Sequence, residues 1–349
     1  MIAALRSSRP LRAVASLRLT LAALVVLTVA VWFLLDHDGP AWPVLVPPLA
    51  VLAANLVAAV ITHPAFRRWN ALLIFHLGLI AIVVLAAIGQ LTYLKGHVEL
   101  TEGQEFGGAL TETDAGPLHR SMLDDVRFVN EGFALTYAPG LQRNATRNKV
   151  RYADADGRER SATVGDQVPL VLKGYRFYTS HNKGFAPIFL WQPKAGEPAL
   201  GAVHLPSYPA LEHQQARDWI LPGTRMQIWT MLKFDETLLD PEGHSTFRLP
   251  GRHTVIVRIG GERREMAPGD VLDLPEGRLH YDGLRTWMGY AVFYDWTIHW
   301  MLIAAMLTVA ALGWHFWRRF AARPWNPDGD RMPSPSPVDR IPSPGQGEG

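Results

Sequence analysis

Leu72-Leu73-Ile74-Phe75-His76-Leu77-Gly78-Leu79-Ile80-Ala81-Ile82-Val83-Val84-Leu85 lies inside a stretch, Ala71 to about Leu94, that carries no acidic or basic residue apart from one histidine. At about 1.5 Å per helical residue, such a run is long enough to cross a hydrocarbon core of about 30 Å. Three further runs share this character: Leu19 to Leu35, Val44 to Ile61, and about Trp296 to Trp317. The average composition, with 48% hydrophobic and 19% charged residues and a formal charge of +2, conceals them. Charges are instead concentrated between the runs, a partition expected of a chain that meets two solvents.

The flanks suggest an orientation. Arg6, Arg9, Arg12 and Arg18 precede the first run, Arg67 and Arg68 precede the third, and Arg318, Arg319 and Arg323 follow the fourth. The connection after the first run is acidic, Asp36-His37-Asp38. By the positive-inside rule, residues 1–18, the short loop between the second and third spans, and residues 318–349 are cytoplasmic. The first run, with no small-x-small cleavage site behind it, reads as a retained signal anchor. Pro47 and Pro48 stand near one end of the second run, where a missing backbone donor costs least. Gly78 and Gly89 offer places for another helix to approach the third. The Pro-Ser-rich last residues read as a disordered cytoplasmic tail. In a Gram-negative cell the protein is then a multi-pass inner-membrane protein, with residues 95–294 in the periplasm.

Segment 95–294 alternates short apolar-polar runs with glycine, proline and aspartate: His97 to Leu100, Lys149 to Tyr152, Gly174 to Tyr178, Thr254 to Ile259 and Arg278 to Tyr281. Val164-Gly165-Asp166 through Tyr178 is echoed by Pro268-Gly269-Asp270 through Tyr281, each reading as turn, strand, turn and aromatic-ended strand. The expected fold is therefore a membrane protein of four transmembrane α-helices, with a mainly β extracytoplasmic domain, a hairpin-built sandwich or barrel, inserted between the third and fourth.

The chain contains no cysteine, which excludes disulfides, thiolate metal sites, a CxxC redox pair and covalent haem attachment to this polypeptide. Balanced charge without basic clusters outside the membrane flanks argues against nucleic acid as a partner and leaves the lipid bilayer as the evident one. No HExxH, GxSxG or phosphate-binding loop is present. His119, His181, His204, His213, His244, His253 and His280 are scattered without metal-ligand spacing and read as exposed or satisfied side chains. No catalytic residue is assigned.

The histidine to single out is His76, about 10 Å into its span counting from Trp69. An ionisable group at that depth is a functional hypothesis by default, and a neutral imidazole is a good axial haem ligand. The alternative is polar glue, a hydrogen bond from His76 to a neighbouring helix. His299 and His315 lie on the fourth span about 24 Å apart along its axis and cannot share one ligand. Both read as interfacial residues and as secondary haem-ligand candidates, with His315 nearer the depth of His76.

Several motifs, taken in order, resemble the ResB family, the CcsB half of the System II cytochrome c synthetase: Ser16-Leu17-Arg18-Leu19-Thr20, Phe75-His76-Leu77-Gly78-Leu79, Gly96-His97-Val98-Glu99-Leu100-Thr101-Glu102-Gly103, Val168-Pro169-Leu170, Gly174-Tyr175-Arg176-Phe177-Tyr178 and Gly289-Tyr290-Ala291-Val292. The resemblance runs from about Ser16 to Trp325. It implies a membrane subunit that, with a CcsA-type partner, moves haem b outward and presents haem and apocytochrome c for attachment. It also implies that His76 is one axial ligand of a membrane haem whose other ligand comes from that partner. The tryptophan-rich haem-handling motif of the CcsA half is absent, so the resemblance implies no haem attachment by this chain alone. Tyr294-Asp295-Trp296-Thr297 stands where members often have Asp-Pro-Gly, and the external domain is shorter than in many of them. Two other readings stay open: a membrane-anchored extracytoplasmic binding or assembly protein without haem, and a b-type electron-transfer cytochrome.

Overall fold

The computed structural model describes residues 9–37, 39–66, 70–154 and 156–321. Four helices in it are long and apolar enough to cross a membrane: Leu17–Asp36, Trp42–Thr62, Ala71–Thr92 and Thr297–Ala321. They pack in chain order, first on second, second on third, third on fourth. The protein is a membrane protein of four apolar helices with a mainly β domain between the third and the fourth.

Polar groups inside the helices settle how they start and how they pack. Ser16 caps the first, its hydroxyl accepting from the Leu19 amide at 3.3 Å. A short helix, Arg9–Val14, precedes that cap, and the turn between the two is held by Asn55 of the second helix. The Asn55 amide nitrogen donates to the carbonyls of Val14 at 2.6 Å and Ser16 at 3.1 Å, and its oxygen accepts from the Thr20 hydroxyl at 2.8 Å. At 2% exposure the Asn55 side chain is worth burying only because these partners satisfy it. Asn70 caps the third helix by accepting from the Leu73 amide at 2.8 Å. Gly78 faces Thr308, and a Cβ at Gly89 would lie 2.8 Å from the Thr297 hydroxyl, so both glycines mark close approaches of the third and fourth helices.

The expected spans need correction at their ends. Pro47 and Pro48 sit in the second turn of their helix, beyond the four donors that go unpaired at any helix start, so the carbonyls of Pro43 and Val44 lose their intrahelical partners. The third helix stops at Thr92 rather than Leu94, because Leu94 already pairs with Tyr294 as a strand residue. The fourth starts at Thr297, where the Asp295 carboxylate accepts from the Thr297 amide at 2.8 Å, and runs past Trp317 to Ala321. Residues 318–321 are thus helix rather than tail, with Arg318 and Arg319 in the last turn, where cations offset the helix dipole. The remainder of the tail, 322–349, lies outside the described residues, as do residues 1–8 with Arg6, Asp38, and Arg67, Arg68 and Trp69.

Two long antiparallel strands, Tyr175–Pro193 and Gly277–Tyr294, form the axis of the β domain. Each opens with a hairpin: Leu170–Leu172 pairs back on the first, and Val271–Leu274 on the second. Each is also preceded by an antiparallel unit, three-stranded in one case (Val129–Ala134, Arg147–Ala153 and Glu159–Val164) and, in the other, Gln227–Lys233, Thr254–Ile259 and Glu262–Met266 with a fourth strand, Ala216–Ile220, at the edge. The echo in sequence between 164–178 and 268–281 thus falls on equivalent places in two halves of similar build.

Because the long strands run in opposite directions, each contributes to two cores. Tyr175 and Phe177 join Tyr290 and Val292 with Val98, Leu100, Phe128 and Val150 in the core nearer the helices. Phe185, Phe189 and Trp191 join Leu279 and Tyr281 with Ile228, Val255 and Val257 in the far core. In both lobes the shared seven-stranded sheet packs face to face on a smaller one, and each sheet is an open run of strands, so the domain is a double sandwich and not a barrel.

Candidate functional site

His76 stands in the second turn of the third helix, half-buried. Its Nδ1 is 2.8 Å from the carbonyl oxygen of Leu72, one turn back. A carbonyl only accepts, so Nδ1 carries the proton and donates it, which leaves Nε2 with its lone pair. The bond is internal to the helix, and among the described residues no group on another helix bonds the ring. Phe66 lies 4.5 Å away between ring centroids and Phe75 lies edge-on at 5.2 Å. Phe66 is also 5.6 Å from His63, at the end of the second helix, so an aromatic ring separates two imidazoles at this end of the bundle. Nothing in the sequence reading drew attention to His63; its link to His76 depends on how the loop folds back.

The other two candidates do not join His76. The close approaches of Gly78 to Thr308 and Gly89 to Thr297 put His76 level with about Ala310 on the fourth helix. His315 is then offset by about 7.5 Å along the axis and His299 by about 16 Å. The His315 ring packs on Phe316 at 5.6 Å, and His299 is exposed in the first turn. The arrangement therefore presents one imidazole with a free nitrogen, in an aromatic and aliphatic surround; neither His299 nor His315 pairs with it, and Phe66 stands between it and His63.

In the β domain the scattered histidines take several roles. His119 donates from Nδ1 to the Thr92 carbonyl at 2.9 Å and its Nε2 lies 3.1 Å from the Tyr175 hydroxyl, which ties the end of the third helix to the near lobe. His280 bonds Gln192 at 3.1 Å, while His213 and His244 are exposed. His204 bridges Glu99, 3.0 Å from Nδ1, and the Thr101 hydroxyl, 2.9 Å from Nε2, with its ring stacked on Trp287 at 5.1 Å. That hydrogen bond from His204 holds the Glu99 carboxyl below the usual carboxylate range, against the opposing effect of burial. His253 is the exception to the expectation of satisfied rings: both its nitrogens are buried without partners. Among the described residues no group of three or more His, Asp or Glu is placed to hold a metal ion.

Residues 63–320, about three quarters of the chain, match the model of the ResB-like family. The chain belongs to the ResB-like family. This family belongs to cytochrome c biogenesis. The match opens at His63, after the first two long helices, and contains the third and fourth helices with the whole β domain of this ResB-like protein. His76, His299 and His315 all fall within it. No curated protein matches the chain.

Proposed function

We propose that this ResB-like protein is a non-catalytic membrane subunit of System II cytochrome c biogenesis, one that works with a CcsA-type partner to pass haem b across the inner membrane. Its β domain, on the periplasmic side, then presents haem and apocytochrome c for attachment. Haem is the cargo, and its iron takes two axial nitrogen ligands when held between helices. His76 supplies one of them through Nε2, and the partner supplies the other.

The observation that carries this reading is the bond from His76 Nδ1 to the Leu72 carbonyl. It holds the ring in the tautomer a ferric or ferrous iron needs, and carbonyl hydrogen bonding raises the basicity of the opposite nitrogen. Polar glue between helices is less well supported, since the bond stays within its own helix. A self-sufficient b-type cytochrome is less well supported, because neither His299 nor His315 reaches the level of His76 and the Phe66 ring stands between His76 and His63.

The test is the optical spectrum of the complex purified with its partner. His76→Ala is expected to remove the membrane haem, and His76→Gly with added imidazole to restore it. Haem retained at full occupancy after His76→Ala would sink the assignment. Full haem occupancy without any partner would favour the independent cytochrome, and absence of haem under all conditions the haem-free assembly protein.

A further inference from the structure

A cavity of about 760 Å³ lies where the helices meet the β domain. All four long helices contribute to its walls. Leu27 and Val31 come from the first, Leu45 and Leu49 from the second, and Ala86 and Met301 from the third and fourth. Leu27 is nine residues from the end of its helix at Asp36, which sets the depth of the cavity at about 14 Å, close to half of a hydrocarbon core of about 30 Å. Below the rim its walls are aliphatic apart from Gln90 of the third helix, over about the depth of one leaflet.

Its upper rim is different in kind. Lys95 and Arg176 both lie opposite Phe293, on the two strands that flank it, so they stand in one row on the outward face of the central sheet with Phe293 between them. Both line the cavity, and neither has an ion-pair partner among the described residues. Two carboxylates lie near them: Asp114, opposite Lys95 on the next strand, accepts from the Tyr93 hydroxyl at 2.6 Å, and Asp295, which also lines the cavity, accepts from the amide and hydroxyl of Thr297 through Oδ1, so the charged lining of two cations and one carboxylate is net positive. No imidazole lines the cavity.

An apolar shaft one leaflet deep below two unpaired cations matches the shape and charge of one molecule, and we infer that the cavity holds a phospholipid with an anionic head group. The acyl chains occupy the space between the first two helices and the last two, and the phosphate meets Lys95 and Arg176. Among the described helices, the first packs mainly against the second, so a lipid in this position also ties the first hairpin to the β domain.

The full chain, extracted in mild detergent from membranes containing phosphatidylethanolamine and phosphatidylglycerol, is examined by native mass spectrometry, and its unfolding temperature is followed in nanodiscs with and without phosphatidylglycerol. One phosphatidylglycerol per chain is expected to survive extraction, and that lipid is expected to raise the unfolding temperature. Lys95→Gln with Arg176→Gln is expected to weaken retention by about tenfold or more, given the attraction of an anionic lipid to two basic groups. Leu45→Trp, which fills the shaft and leaves the cations in place, is expected to do the same. Arg318→Gln with Arg319→Gln, at the opposite end of the fourth helix, keeps both effects and so controls for bulk surface charge. Equal retention of the zwitterionic lipid, retention of phosphatidylglycerol by the double variant, haem or a protein in place of lipid, or no lipid at all with no shift in nanodiscs would each overturn the inference.

Discussion

Leu94 and Tyr294 lie opposite each other in an antiparallel pair of strands, the first residue of one and the last of the other. Two residues before Leu94 the third helix ends, and three residues after Tyr294 the fourth begins. A pair of packed helices thus continues into a pair of bonded strands, and any motion of the helices is transmitted to the near lobe. The close contact of Gly78 with Thr308 governs that helix pair. Gly78→Val is expected to force the helices apart at a cost of about 1–3 kcal/mol from overpacking, read as a lower unfolding temperature in detergent. Combining Gly78→Val with Thr308→Gly moves the small residue to the other helix and is expected to recover most of the loss; no recovery would show that the contact does not set the packing.

Asn148 links the sheets of the near lobe. Its amide donates to the Asn130 side chain and to the Gly132 carbonyl, both at 2.8 Å, and its oxygen accepts from the Tyr290 hydroxyl. All three side chains are fully buried. Asn148→Leu leaves two partners unsatisfied and is expected to destabilise by about 2–4 kcal/mol, more than Tyr290→Phe. Chemical denaturation of the three proteins side by side provides the comparison.

Lys183 is 3% exposed, and its ammonium donates to the His181 carbonyl at 3.2 Å. Burial pushes its pKa down to about 8, with repulsion from Arg143 adding to the effect and Asp166 opposing it. An unfolded lysine titrates near 10.4, so between about 8 and 10.4 the unfolded state binds more protons than the native one, and stability rises with pH across that window. Below it the buried charge costs in full. Lys183→Met is expected to raise the unfolding temperature at pH 7, with a gain that shrinks as the pH approaches 10. A constant gain at all pH values would mean that the amine is not the cause.

Glu99 runs in the opposite sense. Its folded pKa lies below the unfolded value, so the pairing with His204 contributes above pH ~4.3 and is lost as the pH falls through the folded pKa. Glu99→Gln is expected to flatten this part of the acid limb, and His204→Gln to move it upward. Unfolding temperatures between pH 3 and 7 report it.

The far core gives a size test of the two-lobed build. Phe189 is buried against Tyr281 and Trp219, and Phe177 against Phe106 and Phe128 in the near core. Either substitution to alanine is expected to cost about 3–5 kcal/mol. Their effects are expected to add, because the two side chains lie in different cores and do not touch each other. Strong coupling between them, measured by a double-mutant cycle, would contradict separate cores.

The helices were legible because a span is announced by the residues that make it. Leu72 to Leu85 needs no partner to declare itself, and neither does the alternation in Thr254 to Ile259. His76 was conspicuous for the same reason, as a polar residue in an apolar run. What escaped the sequence was everything that depends on register. His204 meets Glu99 from 105 positions away, and Lys183 is buried because it lies opposite Met288 across the two long strands.

By itself, then, the sequence determined the solvent each segment prefers, since hydropathy and period are sums over neighbours along the chain. The tertiary structure alone decided that the β domain has two cores rather than one, that Lys95 and Arg176 share the rim of one cavity, and that neither His299 nor His315 stands level with His76. Those relations follow from the pairing of strands and helices far apart in sequence, and pairing is fixed by packing, which no local pattern encodes.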